Sequence, residues 1–286
     1  MFNDRIDGKR IRDLDGFHSI VPYIMPKRTE AEVSTRETFD VTDLCEYMKN
    51  RNLSEGTNLK LFHAFCTAIA RTIYLRPQMN IFISGKRFWQ RKDIILSFVV
   101  KRTFEDSSEE SLMCLKVTPE MTLDSISRTI LGDVEAVRNA KTNDVGAMMD
   151  FVGKLPRFVL CMLFGFLGIL EFFGIMPASL MKGDPNYSTV LLSNLGSIGA
   201  GAPYHHLSNY GTCSIMVTIG TLRKELETEA DGTKKEHDKL DVTFTLDERI
   251  ADGFYFAKSL RITGFLLENP EYLAQSVSTD VPVDVR

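Results

Sequence analysis

The chain has 286 residues, of which 44% are hydrophobic and 25% are charged. This composition is that of an ordinary soluble globular protein, and it excludes disordered, collagen-like and disulfide-stapled chains. Lys and Arg number 34 against 38 Asp and Glu, so the formal net charge is −4. Because non-specific nucleic-acid binding depends on neutralising phosphates, we expect no nucleic-acid partner for this mildly acidic chain.

The cysteines are few, odd in number and widely spaced, and none belongs to a Cys-x-x-Cys pair. They are Cys45, Cys66, Cys114, Cys161 and Cys213. This usage favours reduced thiols in a cytoplasmic chain and argues against zinc or a disulfide framework. The first ten residues are charged and contain no apolar core, so no signal peptide is predicted. We therefore expect a cytoplasmic protein without a bound metal.

The first half of the chain alternates between predicted strands and helices. A strand over residues 33–41 leads into a helix that starts at Asp43-Leu44. A clearer amphipathic helix covers residues 58–75 and ends before Pro77, and His63 on it is expected to pack internally or to be hydrogen-bonded. Next come a hairpin that turns at Gly85-Lys86, strands over 94–101 and 112–117, and a helix over 122–139.

The second half continues the alternation. Buried strands are predicted over 188–192 and 213–219, and the charged residues 224–239 are expected to form a solvated hairpin connection. Residues 240–247 alternate strictly between apolar and polar side chains, which is typical of a half-buried strand. A closing helix over 251–267 ends at Asn269-Pro270. The order of elements indicates an α/β or α+β fold.

An apolar segment over residues 158–181 stands apart from the rest of the chain. Thirteen consecutive residues, from Phe158 to Leu170, carry no charge before Glu171 interrupts the run. A membrane-spanning helix needs about 20 apolar residues, so a shorter run more often indicates a buried or interfacial segment. The favoured interpretation is a helix pair buried in the core or in an oligomer interface. Peripheral membrane contact and a wall for an acyl chain are the less favoured alternatives.

Two motifs carry a resemblance to a known family. The alternating strand runs directly into residues 247–253, Asp-Glu-Arg-Ile-Ala-Asp-Gly, and the strand predicted over 188–192 ends in Ser193-Asn194-Leu195-Gly196, with Gly199 following. This arrangement resembles the trimeric acyltransferases, namely chloramphenicol acetyltransferase and the catalytic core of the acyltransferase (dihydrolipoyl acyltransferase) subunits of 2-oxoacid dehydrogenase complexes. In the dehydrogenase branch the first motif is Asp-His-Arg-x-x-Asp-Gly, so Glu248 occupies the position of the family's catalytic histidine.

The resemblance implies a fold and an assembly. It covers most of the chain and is weakest over residues 140–185. It implies an α+β two-layer sandwich with a mixed sheet, of the chloramphenicol-acetyltransferase type, that forms a homotrimer or a larger assembly of trimers. The prediction is one catalytic domain over residues 1–286, with an apolar helical insertion around 145–185. Lipoyl and subunit-binding domains do not fit before residue 30, so we expect a stand-alone core without an attached lipoyl group. Its acyl donor would be acyl-CoA or a lipoyl domain on another chain.

The resemblance also assigns roles to residues. The side chain at position 248 takes the proton from the thiol of coenzyme A or dihydrolipoamide, and Ser193 donates a hydrogen bond to the tetrahedral oxyanion. These two residues come from different subunits. Asp252 is implied to be buried and paired with an N-terminal arginine, either Arg10 or Arg12. The substrate-binding positions that match the motifs are Asn194, Gly196 and Gly253, and Gly253 is also expected to allow close packing at the turn into the helix.

The glutamate in place of histidine leaves two hypotheses open. A glutamate in water has a pKa near 4.3 and a thiol one near 8.5, so proton transfer between them is uphill by about 6 kcal/mol. The favoured hypothesis is a CoA-dependent acyltransferase with Glu248 as an altered base, and burial of this glutamate would raise its pKa and narrow the gap. The alternative is a catalytically impaired relative that acts as a trimeric scaffold or as an acyl- or CoA-binding module. His205 or His206 could replace the missing base, although adjacent loop histidines are more often surface residues.

Overall fold

The computed structural model of the chain describes residues 4–101, 110–139, 152–229 and 231–285. The strands are β1 (Gly8–Arg10), β2 (Glu32–Asp40), β3 (Ile81–Ser84), β4 (Arg87–Arg91), β5 (Ile94–Lys101), β6 (Glu110–Val117), β7 (Val190–Asn194), β8 (Ile215–Thr228) and β9 (Lys234–Asp247). The helices are α1 (Gly16–Ile24), α2 (Thr42–Glu55), α3 (Leu61–Leu75), α4 (Leu123–Asn139), α5 (Arg157–Phe173), α6 (Ala178–Met181) and α7 (Gly253–Glu268).

The strands form a large mixed sheet and a small antiparallel one. The large sheet has the order β2-β9-β8-β7-β5-β6, in which β7 runs parallel to both β8 and β5 and the other pairs are antiparallel. The small sheet has the order β1-β4-β3. The predicted α+β class and mixed sheet are therefore confirmed. The predicted hairpin is also present: Gly85 and Lys86 both have positive φ angles, of 57° and 56°, as a two-residue turn between right-twisted strands requires.

Helices α3, α4 and α7 cover one face of the large sheet. Strand β9 shows why, because Val242, Phe244 and Leu246 on one side belong to the hydrophobic core. On its other side Thr243 and Asp247 are also buried. That second face lies beneath residues 200–212, here called the covering segment, since the Thr243 hydroxyl donates to the carbonyl oxygen of Pro203 at 2.6 Å.

The histidine on α3 behaves as the sequence predicts. His63 is buried between α3 and α4, and its Nδ1 lies 2.8 Å from the Ser127 hydroxyl. Burial lowers the pKa of the imidazole to about 4. His63 therefore belongs to the packing of the fold, because it is hydrogen-bonded within the core.

The charged residues 224–239 form strands, which corrects the prediction of a solvated connection. They extend β8 and β9 into a two-stranded ribbon whose turn lies between Thr228 and Lys234. Opposite charges face each other across the ribbon, as in the ion pairs between Lys224 and Glu236 and between Lys239 and Glu227. Cross-strand pairs of this kind stabilise exposed strands whose composition alone does not favour a sheet.

The apolar helix α5 corrects a second prediction, since none of its residues is buried within the chain. Leu160, Leu163 and Leu167 are half-buried against the domain, whereas Phe158, Met162 and Phe166 are exposed. Burial in the core is thus wrong, and burial in an oligomer interface stays a prediction. Residues 145–151 of the expected insertion lie outside the described residues. Over the described ranges, no helix combines the length and the apolar character needed to cross a membrane.

Candidate functional site

The segment after β9 turns sharply into α7 and carries the first motif. Asp252 is the N-cap of α7, and its carboxylate accepts the backbone N–H of Tyr255 at 2.7 Å. A short polar side chain at this position satisfies a helix N–H that has no partner within the helix. Asp252 is exposed, and so are Arg10 and Arg12. The implied burial of Asp252 and its pairing with Arg10 or Arg12 are therefore not found within one chain, because its carboxylate caps the helix at the surface.

The buried carboxylate of the motif is Asp247. It is completely buried, and Arg249 binds it with Nε at 2.7 Å and with a terminal nitrogen also at 2.7 Å. Nε of Arg28 lies 3.7 Å from the same carboxylate. We call these three residues the Asp247 cluster. This cluster was not predicted from the sequence, although an aspartate and an arginine two residues apart within the motif were a usable local signal.

The two arginines of the Asp247 cluster tie distant segments to the motif turn. Arg28 donates to the carbonyl oxygens of Ser208 and Gly211, and Arg249 donates to that of Met25 at 2.7 Å. Burial lowers the pKa of Arg28, and the nearby Asp247 carboxylate opposes that shift. The cluster therefore fixes the turn against both the N-terminal region and the covering segment.

Glu248 projects from this turn into solvent. Its backbone N–H donates to the carbonyl oxygen of Ala31 at 2.8 Å, which fixes the backbone. The side chain is exposed, and within the described part of the chain no hydrogen bond or ion pair engages it. The carboxylate at the position of the family's histidine is thus presented on a rigid turn and is free to contact another molecule.

Ser193 lies near the end of β7, in a row of hydroxyl groups that crosses the sheet. It is paired with Thr218 on β8, which in turn is paired with Thr243 on β9. Thr218 is buried, and its hydroxyl has no hydrogen-bond partner among the described residues. Ser193 and Thr218 lie side by side on the same sheet face, because register partners on neighbouring strands point the same way. Two hydroxyl donors thus stand together at this strand end.

The glycines of the two motifs have different structural roles. A Cβ on Gly196 would lie 2.2 Å from the carbonyl oxygen of Gly220, so the loop after Ser193 and Asn194 can approach β8 only with glycine there. A Cβ on Gly253 would have no atom within 4 Å. The close packing expected at Gly253 is therefore not present within the chain, whereas Gly196 does serve it.

His205 and His206 lie on the covering segment and are exposed. The next residue, Leu207, donates its backbone N–H to the Glu32 carboxylate at 2.9 Å, and Glu32 is the register partner of Asp247. The covering segment thus carries both histidines toward the end of the sheet where Glu248 lies. Nδ1 of His206 is 3.2 Å from the Leu207 carbonyl oxygen.

Within one chain the two principal candidate residues are far apart. By strand register, Ser193 lies in the same row as Thr243 on β9, two strands away. Glu248 follows the end of β9, five residues after Thr243. With about 3.3 Å per residue and about 4.8 Å between strands, the separation is about 19 Å. No single substrate atom can contact both side chains of the same chain. A site that uses both needs a second subunit, as the sequence analysis expects.

The described residues bring one group of metal-ligating atoms together, away from the motifs. Ligand atoms of Asp40, Glu227 and His237 lie within 4.8 Å of one another. The ammonium group of Lys239 pairs with Asp40 at 3.1 Å and with Glu227 at 2.9 Å, and His237 bonds Asp40 and Glu229. Lys239 and His237 already engage these carboxylates, so the group is a surface ion-pair network on the ribbon.

Comparison with known proteins relates this architecture to acyltransferases. The lipoamide acyltransferase component of the branched-chain alpha-keto acid dehydrogenase complex of Bacillus subtilis is 24% identical over 252 residues. That match covers 85% of this chain, which spans about half the length of the Bacillus protein (49%). No family model matches the chain.

Solved structures give the same relationship at the level of the fold. The cubic core of the pyruvate dehydrogenase multienzyme complex superimposes with a TM-score of 0.60 at 14% identity and covers 93% of this chain and 94% of its own. A chloramphenicol acetyltransferase gives 0.52 at 10% identity, with 92% and 98% covered. The chain therefore has the fold shared by the catalytic cores of dehydrogenase-complex acyltransferases and by chloramphenicol acetyltransferase, as its two motifs predict.

Proposed function

We propose that this protein is a CoA-dependent acyltransferase that moves an acyl group between a thioester and a thiol or another small acceptor, and that it works as a homotrimer or a larger assembly of trimers. The observation that carries the proposal is the motif turn. The Asp247 cluster holds it rigidly, and Glu248 projects from it without an internal partner. The fold and the order of the two motifs support the same reaction class.

The proposed reaction uses both motif residues, from neighbouring subunits. Glu248 accepts the proton of the acceptor thiol, and the sulfur attacks the carbonyl carbon of the thioester. Ser193 donates a hydrogen bond to the resulting oxyanion, with the neighbouring Thr218 hydroxyl as a second available donor. The carbon–sulfur bond to the leaving thiolate then breaks, and that thiolate takes the proton back from Glu248. In the proposed trimer, Asn194 and Gly196 lie beside the oxyanion site and Gly253 beside the base.

The separation of about 19 Å between Ser193 and Glu248 in one chain supports a site shared by two subunits, and the resemblance to the trimeric acyltransferases makes a trimer the assembly that we propose. Three copies of 32.4 kDa give about 97 kDa, which sedimentation velocity distinguishes from a monomer. A monomer at all concentrations would contradict the proposed two-subunit site. The acyl donor would be acyl-CoA or a lipoyl domain supplied by another chain.

Thiol release from a panel of acyl-CoA thioesters tests the chemistry. Removing a general base costs about 100- to 10,000-fold in rate, so we expect such a loss in the Glu248→Gln variant. Removing one oxyanion donor costs about 100- to 1,000-fold, as expected for Ser193→Ala. The matched control is Glu46→Gln, an exposed glutamate on α2, which should keep the full rate.

A third variant separates the two functional hypotheses. If wild-type protein releases no thiol but the Glu248→His variant does, the natural chain has lost catalysis and the scaffold or binding-module alternative holds. If Glu248→Gln loses a measurable wild-type rate while Glu46→Gln keeps it, the glutamate is the base. Equal rates in all variants would contradict both a base at Glu248 and the assignment of the site.

A further inference from the structure

A cavity of about 480 Å³ is lined by Arg28 and Arg249 of the Asp247 cluster, and neither Ser193 nor Glu248 lines it. Its volume is within the range of about 300–1,000 Å³ that is usual for small-molecule sites. It lies between α5, the end of α1, the turn of the β3–β4 hairpin and the end of the covering segment. One wall is apolar and comes mainly from α5 and the residues after it, namely Phe164, Leu167, Gly168, Phe172 and Met176.

The facing part of the cavity is cationic. Arg28 and Arg249 both line it, and each is only 4% exposed. Among the described residues, the carboxylate that contacts these two arginines is that of Asp247, so within that part of the chain one positive charge of the cluster has no contacting counter-charge. Nε of Arg28 also has no hydrogen-bond partner among the described residues. Leaving a buried charge without a partner is costly, so a bound anion at this end would stabilise the protein.

Neighbouring acidic groups do not supply that counter-charge. Glu171 lines the cavity, but its carboxylate is 2.7 Å from a terminal nitrogen of Arg5 and accepts the Ser84 hydroxyl at 2.6 Å. Lys86 adds a further cation at the cavity, where its ammonium group lies 4.4 Å from the centre of the Tyr23 ring. The cavity therefore has an apolar wall on the side of α5 and a net positive charge on the facing side.

We propose that this cavity binds an amphipathic monoanion, a medium-chain carboxylic acid whose carboxylate faces Arg28 and Arg249 and whose alkyl chain lies along α5. A single negative charge matches the one buried charge that Asp247 leaves without a partner, since Lys86 is exposed and its ammonium group is hydrated. Guanidinium groups bind carboxylates through strong charge-assisted hydrogen bonds, and the α5 wall removes the chain from water. The proposal does not depend on acyl transfer, because it concerns binding in a cavity that contains neither Glu248 nor Ser193.

Isothermal titration of the full chain with octanoate tests the proposal, with two comparison ligands. Octanol has the chain without the charge, and acetate has the charge without the chain. We expect octanoate to bind at least 10-fold more tightly than either one. Equal affinity for octanoate and octanol would overturn the role of the arginines, and equal affinity for octanoate and acetate would overturn the role of α5. No binding of octanoate would overturn the proposal as a whole.

Two glycines on α5 provide matched variants. Gly168 lines the cavity and Gly165 does not, and a Cβ on either would have no atom within 4 Å. Gly168→Leu should fill part of the cavity and weaken octanoate binding at least 10-fold, whereas Gly165→Leu should leave that binding unchanged. Equal losses would indicate general adsorption to the exposed apolar helix and would contradict a cavity site. Because the measured quantity is binding, the result is independent of the thiol-release assay.

Discussion

Replacing the buried carboxylate of the Asp247 cluster gives the sharpest test of what holds the motif turn. In the Asp247→Asn variant the side-chain volume is nearly unchanged, but the negative charge between Arg28 and Arg249 is lost. The asparagine amide also offers N–H donors where the guanidinium groups need acceptors. Removing one partner of a buried ion pair costs about 3–5 kcal/mol, and complete burial of Asp247 places the expected loss of unfolding free energy in that range.

Urea unfolding at pH 7 measures this loss, and Asp241→Asn is the matched control. Asp241 also lies on β9 and is bonded by Thr38 at 2.6 Å and by Arg223 at 3.4 Å, but its side chain is 26% exposed. Exposed pairs are worth about 1 kcal/mol or less, so this control should lose little stability. If Asp247→Asn loses no more than Asp241→Asn, the buried cluster does not stabilise the turn and our account of its rigidity is wrong.

Two further substitutions test other parts of the structure. Because burial lowers the pKa of His63 from its ordinary value near 6.5 to about 4, the unfolded chain takes up a proton in this pH range before the folded one. Stability conferred by the neutral imidazole should therefore fall by about 3 kcal/mol between pH 6.5 and pH 4. Urea unfolding across that range should show a shallower pH dependence for His63→Gln, and parallel curves would contradict the assignment. Gly85 has a φ of 57°, and a Cβ there would lie 1.9 Å from the carbonyl oxygen of Phe172. Gly85→Ala should thus lower the melting temperature clearly more than Gly56→Ala, which has a similar φ of 66° but no atom within 4 Å; equal shifts would refute the clash.

The parts of the fold that the sequence predicts correctly are those set by local chemistry. The Gly85-Lys86 turn, the alternation of β9 and the C-terminal end of α7 before Asn269-Pro270 each depend on residues that are neighbours in the chain. The ribbon over 224–239 was missed because its stability comes from cross-strand pairs such as Lys224 with Glu236, which composition does not reveal. The exposure of α5 was not predicted, because an apolar sequence indicates only that its side chains favour contacts that exclude water. It does not identify which part of the protein, or which other molecule, makes those contacts.

The candidate site was predicted in part. The positions of Ser193 and Glu248 at strand ends follow from the motifs, and the distance between them agrees with the expected two-subunit site. The burial and arginine pairing implied for Asp252 are not found within one chain, where its carboxylate caps a helix at the surface. The role of Arg28 could not be foreseen, since its contact with Asp247 joins segments that are far apart in the sequence and only the folded sheet brings together.

The conformation of the motif turn does not depend on the side chain of Glu248, and this has a consequence for mutation at position 248. Asp247, Arg249 and the backbone contact with Ala31 hold the turn, and the side chain at position 248 takes no part in it. A mutation at this codon can therefore change the reactive group without unfolding the protein. We therefore expect the fold to accept histidine as well as glutamate at position 248. Saturation mutagenesis at this position should yield folded proteins for the substitutions that keep the backbone N–H bonded to Ala31, which proline lacks.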